Sequence, residues 1–108
     1  MTQDEARTAL AARLKELDQL DALSDEAREP VMLQQDSVGR LSRMDAIQQQ
    51  AMAQAEERRR NAERARIRAA LGRLDEGEWG YCAGCGEEIA EGRLQGDPSL
   101  ARCVGCAG

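Results

Sequence analysis

The sequence contains no histidine and no phenylalanine, and Trp79 and Tyr81 are its two aromatic residues. Most of its apolar residues are Ala and Leu, so its 108 residues offer little bulky material for a conventional globular core. Ala, Leu, Glu, Arg and Gln are instead typical of long helices with a narrow apolar seam. This composition favours an extended helical element joined to one very small domain.

Long apolar runs are also missing, and acidic residues follow Met1 within a few positions. The sequence therefore predicts neither a signal peptide nor a membrane span, and we expect a protein of the reducing cytoplasm, where thiols stay available to bind metal. Its net charge of −5 and its pI near 4.8 oppose non-specific binding to DNA, because affinity for the phosphate backbone needs concentrated positive charge.

All four cysteines lie in the last quarter of the chain, in two Cys-x-x-Cys pairs that are separated by seventeen residues. Each pair can place both sulfurs on one side of a tight turn, and two such turns supply the four thiolates of a closed tetrahedral zinc site. Two disulfides would suit a secreted chain, and a redox dithiol would suit a thioredoxin-like βαβ pattern, but the sequence indicates neither context. We predict one structural Zn²⁺ with the ligands Cys82, Cys85, Cys103 and Cys106.

The cysteines are thereby assigned to the metal, and the sequence has no histidine to serve as a base. No pairing of a nucleophile with a base remains, so we predict that the protein is not an enzyme.

Two helices are predicted before the cysteines. From about Asp4, apolar residues recur every three or four positions, and Pro30 disfavours helical geometry at Glu29, so the first helix should end by about residue 29. Residues 30–37 have no clean period and end in Asp-Ser, which predicts a loop before a second helix that runs from Ser37 or Val38 to about Leu74. The expected seam of the first helix consists of Ala6, Leu10, Leu14, Leu17 and Leu20.

The second helix shows an unbroken heptad pattern that is rich in alanine. An alanine seam buries little area by itself but lets a leucine-bearing helix approach closely, which predicts an antiparallel hairpin over residues 1–74. The alternative is that helices of two chains pair as a dimer, although the short loop favours a monomeric hairpin. The residues of the predicted seam are Leu41, Met44, Gln48, Ala51, Ala55, Arg58, Ala62, Ala65 and Ala69.

Arginines are concentrated in the second helix, where the range from Glu56 to Arg73 holds seven of them against three glutamates. Such a run is either a binding stripe or a solvated face, and both interpretations remain open. Arg59 and Arg66 are seven residues apart and so share a face, and Arg73 is a further candidate contact at the same end of the helix.

Residues 75–108 form the predicted zinc module. Trp79 and Tyr81 are expected to cover the small metal core rather than to stack on nucleic-acid bases, because no further aromatic residue is interleaved with basic ones. Between the cysteine pairs, Ile89, Leu94 and Leu100 are expected to pack beneath the metal.

The entry into this module, Gly77-Glu78-Trp79-Gly80-Tyr81-Cys82-Ala83-Gly84-Cys85-Gly86-Glu87-Glu88-Ile89, resembles the zinc-finger region of the DksA/TraR family, as do Arg93-Leu94, Pro98 and the second cysteine pair. The resemblance covers roughly 70 residues, the second helix and the zinc module, and it extends to the first helix in pattern only. Members of that family are bacterial transcription factors that bind RNA polymerase rather than DNA and insert a helical hairpin into its secondary channel. The resemblance thus implies a mainly α fold, an antiparallel coiled-coil hairpin with a four-cysteine zinc-finger module at its base, and control of transcription initiation.

The resemblance also implies contact residues at the hairpin tip. Asp36-Ser37-Val38-Gly39-Arg40-Leu41 is similar to the Asp-x-x-Asp-x-Ala tip pattern of the family. It keeps the first Asp, while Gly39 and Leu41 stand in place of the second Asp and the Ala. The alternative for Asp36 is an ordinary helix N-cap. The residues expected to contact the polymerase are Asp36, Arg40, Asp45 and Ala46.

Basic residues near the zinc module help some family members to bind guanosine tetraphosphate (ppGpp) together with the polymerase. Arg59 and Arg66 are similar in position to such residues, but Ala107 stands where the family has a basic residue, and the helix that follows there in longer members is not in this sequence. Two rival functions remain open. A zinc-finger DNA-binding module predicts duplex binding with a steep salt dependence, and a structural coiled-coil adaptor predicts dimerisation through the Ala/Leu seams.

Overall fold

The computed structural model describes residues 1–28 and 40–107. Within these ranges lie four helices: α1 (Gln3–Arg28), α2 (Arg40–Glu76), α3 (Glu91–Gly96) and α4 (Val104–Ala107). The predicted first helix is confirmed, and the second is confirmed as a long helix whose 37 residues extend two positions beyond the expected end. The predicted loop at residues 30–37 lies outside the described residues.

The two long helices run antiparallel and pack against each other within one chain. Ion pairs show the direction, because Arg7 near the start of α1 binds Asp75 near the end of α2, while Arg13, two turns later, binds Glu63. The molecule measures 61 × 27 × 20 Å along its principal axes, as expected for a rod of this kind. Within residues 1–28 and 40–107, no helix is both long and apolar enough to cross a bilayer.

Local signals explain where the described helix ends lie. At the start of α1, the Thr2 hydroxyl accepts a hydrogen bond from the backbone N–H of Glu5 at 3.1 Å, and Asp4 and Glu5 add negative charge to the first turn. At the end of α2, Gly77 adopts φ 76°, and the N–H of Glu78 reaches back to the carbonyl of Arg73 at 2.8 Å. This is the arrangement of a Schellman cap, which turns the chain toward the cysteines.

The apolar core begins between the helices and continues into the cysteine-bearing segment. Ala6, Leu10 and Leu17 are buried as predicted, whereas Leu20 is 42 % exposed. The three buried residues of α1 belong to one cluster with residues of α2 and of the segment that follows it, namely Ile67, Ala70, Leu74, Trp79, Cys82, Ile89 and Leu94. The hairpin and the cysteine-bearing segment therefore share a single core.

The predicted seam of α2 is wrong in register. Ala62, Ala65 and Ala69 are exposed, and Met44 is 61 % exposed, while Ile67 and Leu74 face α1. The buried face also includes Arg64, which is 8 % exposed. The pattern search selected a row that keeps the heptad spacing without a break and is rich in alanine, because the true face includes the charged residues Arg60 and Arg64.

Candidate functional site

Two tight turns hold the cysteines, and each is closed by its own backbone. In the first turn the N–H of Gly86 binds the carbonyl of Cys82 at 2.9 Å, and in the second the N–H of Ala107 binds the carbonyl of Cys103 at 2.9 Å. A further bond of 2.7 Å, from the N–H of Ala83 to the carbonyl of Ala101, joins the two turns. The backbone thus fixes the turns opposite each other.

The four sulfur atoms fit one tetrahedral metal ion. The Sγ atoms of Cys82, Cys85, Cys103 and Cys106 all lie within 4.8 Å of one another, and the Cys85 and Cys103 sulfurs are 3.6 Å apart. Zinc–sulfur bonds of about 2.3 Å at tetrahedral angles require sulfur separations of about 3.8 Å, close to this spacing. The cysteines of the described chain are free thiols rather than disulfides. The arrangement can hold one ion and leaves no ligand position open for a substrate.

Electrostatics at the cluster favour a bound cation. Backbone N–H groups of Cys103, Cys85 and Gly84 donate hydrogen bonds that lower the pKa of Cys82 to about 6. The sulfurs of Cys103, Cys82 and Cys85 raise the pKa of Cys106 to about 12, since a further thiolate would stand beside negative neighbours. A divalent cation at the centre of the cluster reverses that penalty and allows all four thiolates to form.

Gly84 permits the close approach of the two turns. A Cβ atom at this position would lie 3.2 Å from the Cys106 sulfur and 3.4 Å from the Cys106 Cβ. Its N–H also points at the Cys82 sulfur, 3.3 Å away. A side chain at residue 84 would therefore press directly on a metal ligand.

Trp79 joins the cysteine-bearing segment to the hairpin core. It is 6 % exposed, and its indole Nε1–H donates to the carbonyl oxygen of Pro98 at 2.9 Å. Ile89 and Leu94 are buried beside it and Leu100 is half-buried, which confirms the predicted packing in this segment. Tyr81 differs from the prediction, because it is 47 % exposed and forms an isolated bridge with Glu88 rather than covering the core.

Arg73 secures the same loop from α2. Its Nη2 donates to the carbonyl oxygens of Ser99 and Leu100, each at 3.4 Å, and Asp97 holds the loop from within by accepting bonds from the N–H and hydroxyl of Ser99. The sequence suggested Arg73 as a ligand contact, whereas the structure gives it contacts inside the protein.

The two arginines with a predicted ligand contact, Arg59 and Arg66, are both exposed on α2. Arg66 lines a cavity of about 420 Å³ between the helices and the loop near Pro98. Arg13, Glu63 and Asp97 line the same cavity, so acids stand among its cations. Arg59 is not among the residues that line this cavity.

Sequence reasoning missed the arginines that bridge the helices. Arg13 binds Glu63 with two hydrogen bonds, at 2.6 and 3.0 Å, and Arg60 and Arg64 both bind Asp21. The spacing of Arg60, Arg64 and Ile67 by four and three residues places them on one helix face, and this signal was present in the sequence.

The predicted tip residues are only partly described. Asp36 lies outside the described residues, and Arg40 is the first residue of α2, described in its backbone alone. Asp45 and Ala46 are exposed on α2. Their role in binding a partner stays a prediction.

Comparisons with known proteins agree with this architecture. Residues 77–108 match the family model described as the prokaryotic dksA/traR C4-type zinc finger. The chain is 34 % identical over 90 residues to the RNA polymerase-binding transcription factor DksA of Haemophilus influenzae, an alignment that covers 80 % of this chain and 62 % of that protein. This chain thus spans less than two thirds of the length of the curated relative it matches.

A solved structure supports the fold over nearly the whole chain. Transcription factor DksA2 from Pseudomonas aeruginosa superposes with a TM-score of 0.77 at 22 % identity, covering 97 % of this chain and 79 % of that one. The mainly α fold, with its four clustered cysteines, is thereby confirmed, as is a C4 site able to hold one metal ion.

Proposed function

Given a DksA-like protein with a C4-type zinc finger over residues 77–108, we propose that it is a non-enzymatic transcription regulator that binds RNA polymerase. It acts by placing the tip of its α1–α2 hairpin in the secondary channel of the polymerase, where it modulates initiation. The observation that carries this proposal is a rod of 61 Å whose base shares one core with a four-cysteine metal site. We propose that it works as a monomer in the cytoplasm.

Zinc has a structural role in this proposal. Cys82, Cys85, Cys103 and Cys106 hold the ion, and the loop near Pro98 is attached to α2 through Arg73 and to the core through Trp79. A metal bound by four protein ligands provides rigidity rather than chemistry. The metal thereby sets the direction in which the rod leaves its base.

The tip residues Asp36, Arg40, Asp45 and Ala46 are the proposed polymerase contacts. Asp45 and Ala46 are exposed on α2, and the neighbouring Met44 and Ile47 are 61 % and 66 % exposed. An exposed acid beside exposed apolar side chains supplies both a charged and an apolar contact for a protein partner.

A ppGpp contact at Arg59 and Arg66 is a separable part of the proposal. Both arginines are exposed and can reach a phosphate, but Arg66 shares its cavity with Glu63 and Asp97, which oppose a polyanion. We therefore propose that any ppGpp response depends on additional cations from the polymerase. Arg59→Ala and Arg66→Ala should reduce ppGpp-dependent transcription effects while leaving binding to the polymerase intact. If these variants lose polymerase binding as well as the ppGpp response, the two arginines belong to the polymerase contact instead.

Binding to the polymerase is tested by co-purification of the zinc-loaded chain with core enzyme at micromolar concentration. The proposal predicts a stoichiometric complex, and it fails if no complex forms. A parallel titration with duplex DNA at two salt concentrations tests the DNA-binding rival, which predicts tight and salt-sensitive binding. Because the chain is acidic, with net charge −5, we expect its binding to duplex DNA to be neither tight nor salt-sensitive.

A further inference from the structure

The interface between α1 and α2 changes character along the hairpin. Near the base it is apolar, with Leu10 and Leu17 buried against the face of α2 that carries Ile67. Beyond Leu17 the leucines leave the interface, because Leu20 is 42 % and Leu23 is 62 % exposed. Asp21 is half-buried in their place. The seam therefore continues with charged residues where leucines were available in the sequence.

Five polar residues form an ionic cluster at this point: Asp18, Asp21, Arg60, Asn61 and Arg64. Arg64 lies at its centre and is 8 % exposed. Its Nε donates to Asp18 Oδ1 at 3.1 Å, its Nη1 to Asn61 Oδ1 at 2.7 Å and its Nη2 to Asp21 Oδ2. Arg60 donates to the other oxygen of Asp21 at 2.7 Å.

A cluster of this kind adds little net stability, because removing charges from water offsets most of their attraction. Its stronger effect is on the choice between alternative packings, since a buried charge without a partner is costly. The cluster should therefore matter most where the apolar residues alone leave the packing undecided.

The apolar residues of this hairpin repeat at the heptad spacing. Leu10 and Leu17 are seven residues apart, as are Ile67 and Leu74. If α1 moved by one heptad so that Leu10 took the place of Leu17, leucine would replace leucine at that position, and Gln3 would take the place of Leu10. The same movement would bring Ala11 and Leu14 to the places of Asp18 and Asp21, opposite Arg64. The guanidinium would then be buried without its carboxylates.

We propose that Arg64 is a positioning residue that fixes the axial register of α1 against α2. The apolar seam supplies the attraction between the helices, and the ionic cluster selects one register among those that the seam allows. This inference concerns the hairpin itself and stands whether or not the protein binds RNA polymerase.

Distance measurement by electron paramagnetic resonance tests the register directly. Nitroxide labels on keto amino acids at Thr8 and Gln54, which leave the cysteines to zinc, sit on exposed positions near opposite ends of the interface. The wild-type chain should give one narrow distance. Arg64→Met should add a second population displaced by about 10 Å, which is one heptad at about 1.5 Å per residue.

Matched variants separate register from stability. Arg68→Met removes an exposed arginine of the same helix and should leave one distance. Arg64→Lys keeps a positive charge at this position, which would have no carboxylate partner if α1 moved by one heptad. This variant should therefore also give one distance. Arg64→Met should still unfold within a few degrees of wild type, because Asp18 is 73 % exposed and Asp21 keeps its bond to Arg60.

A single wild-type distance in folded Arg64→Met overturns the inference. Should that variant lose its helical circular dichroism signal, the double variant Asp18→Ala/Asp21→Asn makes the same test from the acid side. It leaves Arg64 without a preferred register, so it too should show two distances, and one distance would again contradict the proposal.

Discussion

Trp79 donates its indole N–H to the carbonyl oxygen of Pro98 at 2.9 Å, across a gap of nineteen residues in sequence. The bond joins the segment that leaves α2 to the loop between the two cysteine pairs. Because Trp79 is 6 % exposed and belongs to the same core as Leu10 and Leu74, the hairpin and the metal site are mechanically connected at this residue.

Trp79→Ala should therefore destabilise the base of the hairpin by about 3–5 kcal/mol, the usual cost of truncating a buried tryptophan. Denaturant unfolding followed by far-ultraviolet circular dichroism measures this cost. Trp79→Phe is the matched control, since it keeps an aromatic ring but loses the bond to Pro98, and it should cost clearly less. Equal effects of the two substitutions would show that the hydrogen bond, rather than the packing, dominates.

Removal of zinc should loosen residues 75–108 more than the helices. Without the cation, the raised pKa of Cys106, about 12, favours a neutral thiol at this position, and no shared ion then links the two cysteine turns. A strong chelator should shift Trp79 fluorescence to the red while most of the helical circular dichroism signal persists. Cys85→Ser should reproduce the chelated state and lower the zinc content from one ion per chain. An unchanged tryptophan spectrum would contradict the expectation that zinc holds residues 75–108 together.

Gly84→Ala should weaken zinc binding without removing a ligand. The added methyl group would stand 3.2 Å from the Cys106 sulfur, so the second cysteine turn has to move. We expect a loss of roughly tenfold in zinc affinity, the lower end of what changes beside a metal ligand cause. Competition with a chromophoric chelator measures the affinity. Gly92→Ala is the control, because a Cβ there meets nothing within 4 Å, and its zinc affinity should stay at the wild-type value.

The pair between Arg13 and Glu63 should make stability depend on acid. The hydrogen bonds from Arg13 lower the pKa of the Glu63 carboxyl below its ordinary value of 4.5. A carboxyl of this kind adds stability above its unfolded pKa and loses that contribution as the pH falls through its folded pKa. Glu63→Gln should therefore destabilise the chain at pH 7 and flatten the fall in stability below about pH 4.5.

Denaturant titrations at several pH values between 3 and 7 compare these slopes. Glu56→Gln changes an exposed glutamate on the same helix and serves as the control. If the free energy of unfolding falls as steeply below about pH 4.5 in Glu63→Gln as in wild type, the pair does not link stability to pH.

The sequence predicted the parts of this molecule whose signals are local. The cysteine spacing indicated the metal cluster, and Ala6, Leu10 and Leu17 marked the buried face of α1. These features depend on residues a few positions apart. A composition without phenylalanine, whose apolar residues are mostly Ala and Leu, also pointed correctly to a rod rather than a globule.

The prediction failed where the interface depends on pairs that are distant in sequence. Arg64 is buried only because Asp18 and Asp21 of α1 lie opposite it, forty or more residues earlier, and a periodicity search has no means of pairing them. The same reason explains Arg73, whose partners are carbonyl groups of the loop that carries Ser99. Exposure of Tyr81 was missed because strand alternation predicts one face for residues 79 and 81, whereas Gly80 between them adopts φ 94° and breaks the extended geometry.

We propose that the far end of the hairpin, rather than the metal site, meets RNA polymerase inside its secondary channel. A photo-crosslinking amino acid at Ala46 tests it against the same amino acid at Ala69, since both are exposed alanines on α2 at different distances from the base. We expect residue 46 to crosslink to polymerase segments inside the channel, and residue 69 to crosslink at its outer rim or not at all. Crosslinks from residue 46 only to the outer surface, or none in a complex that forms, would contradict it.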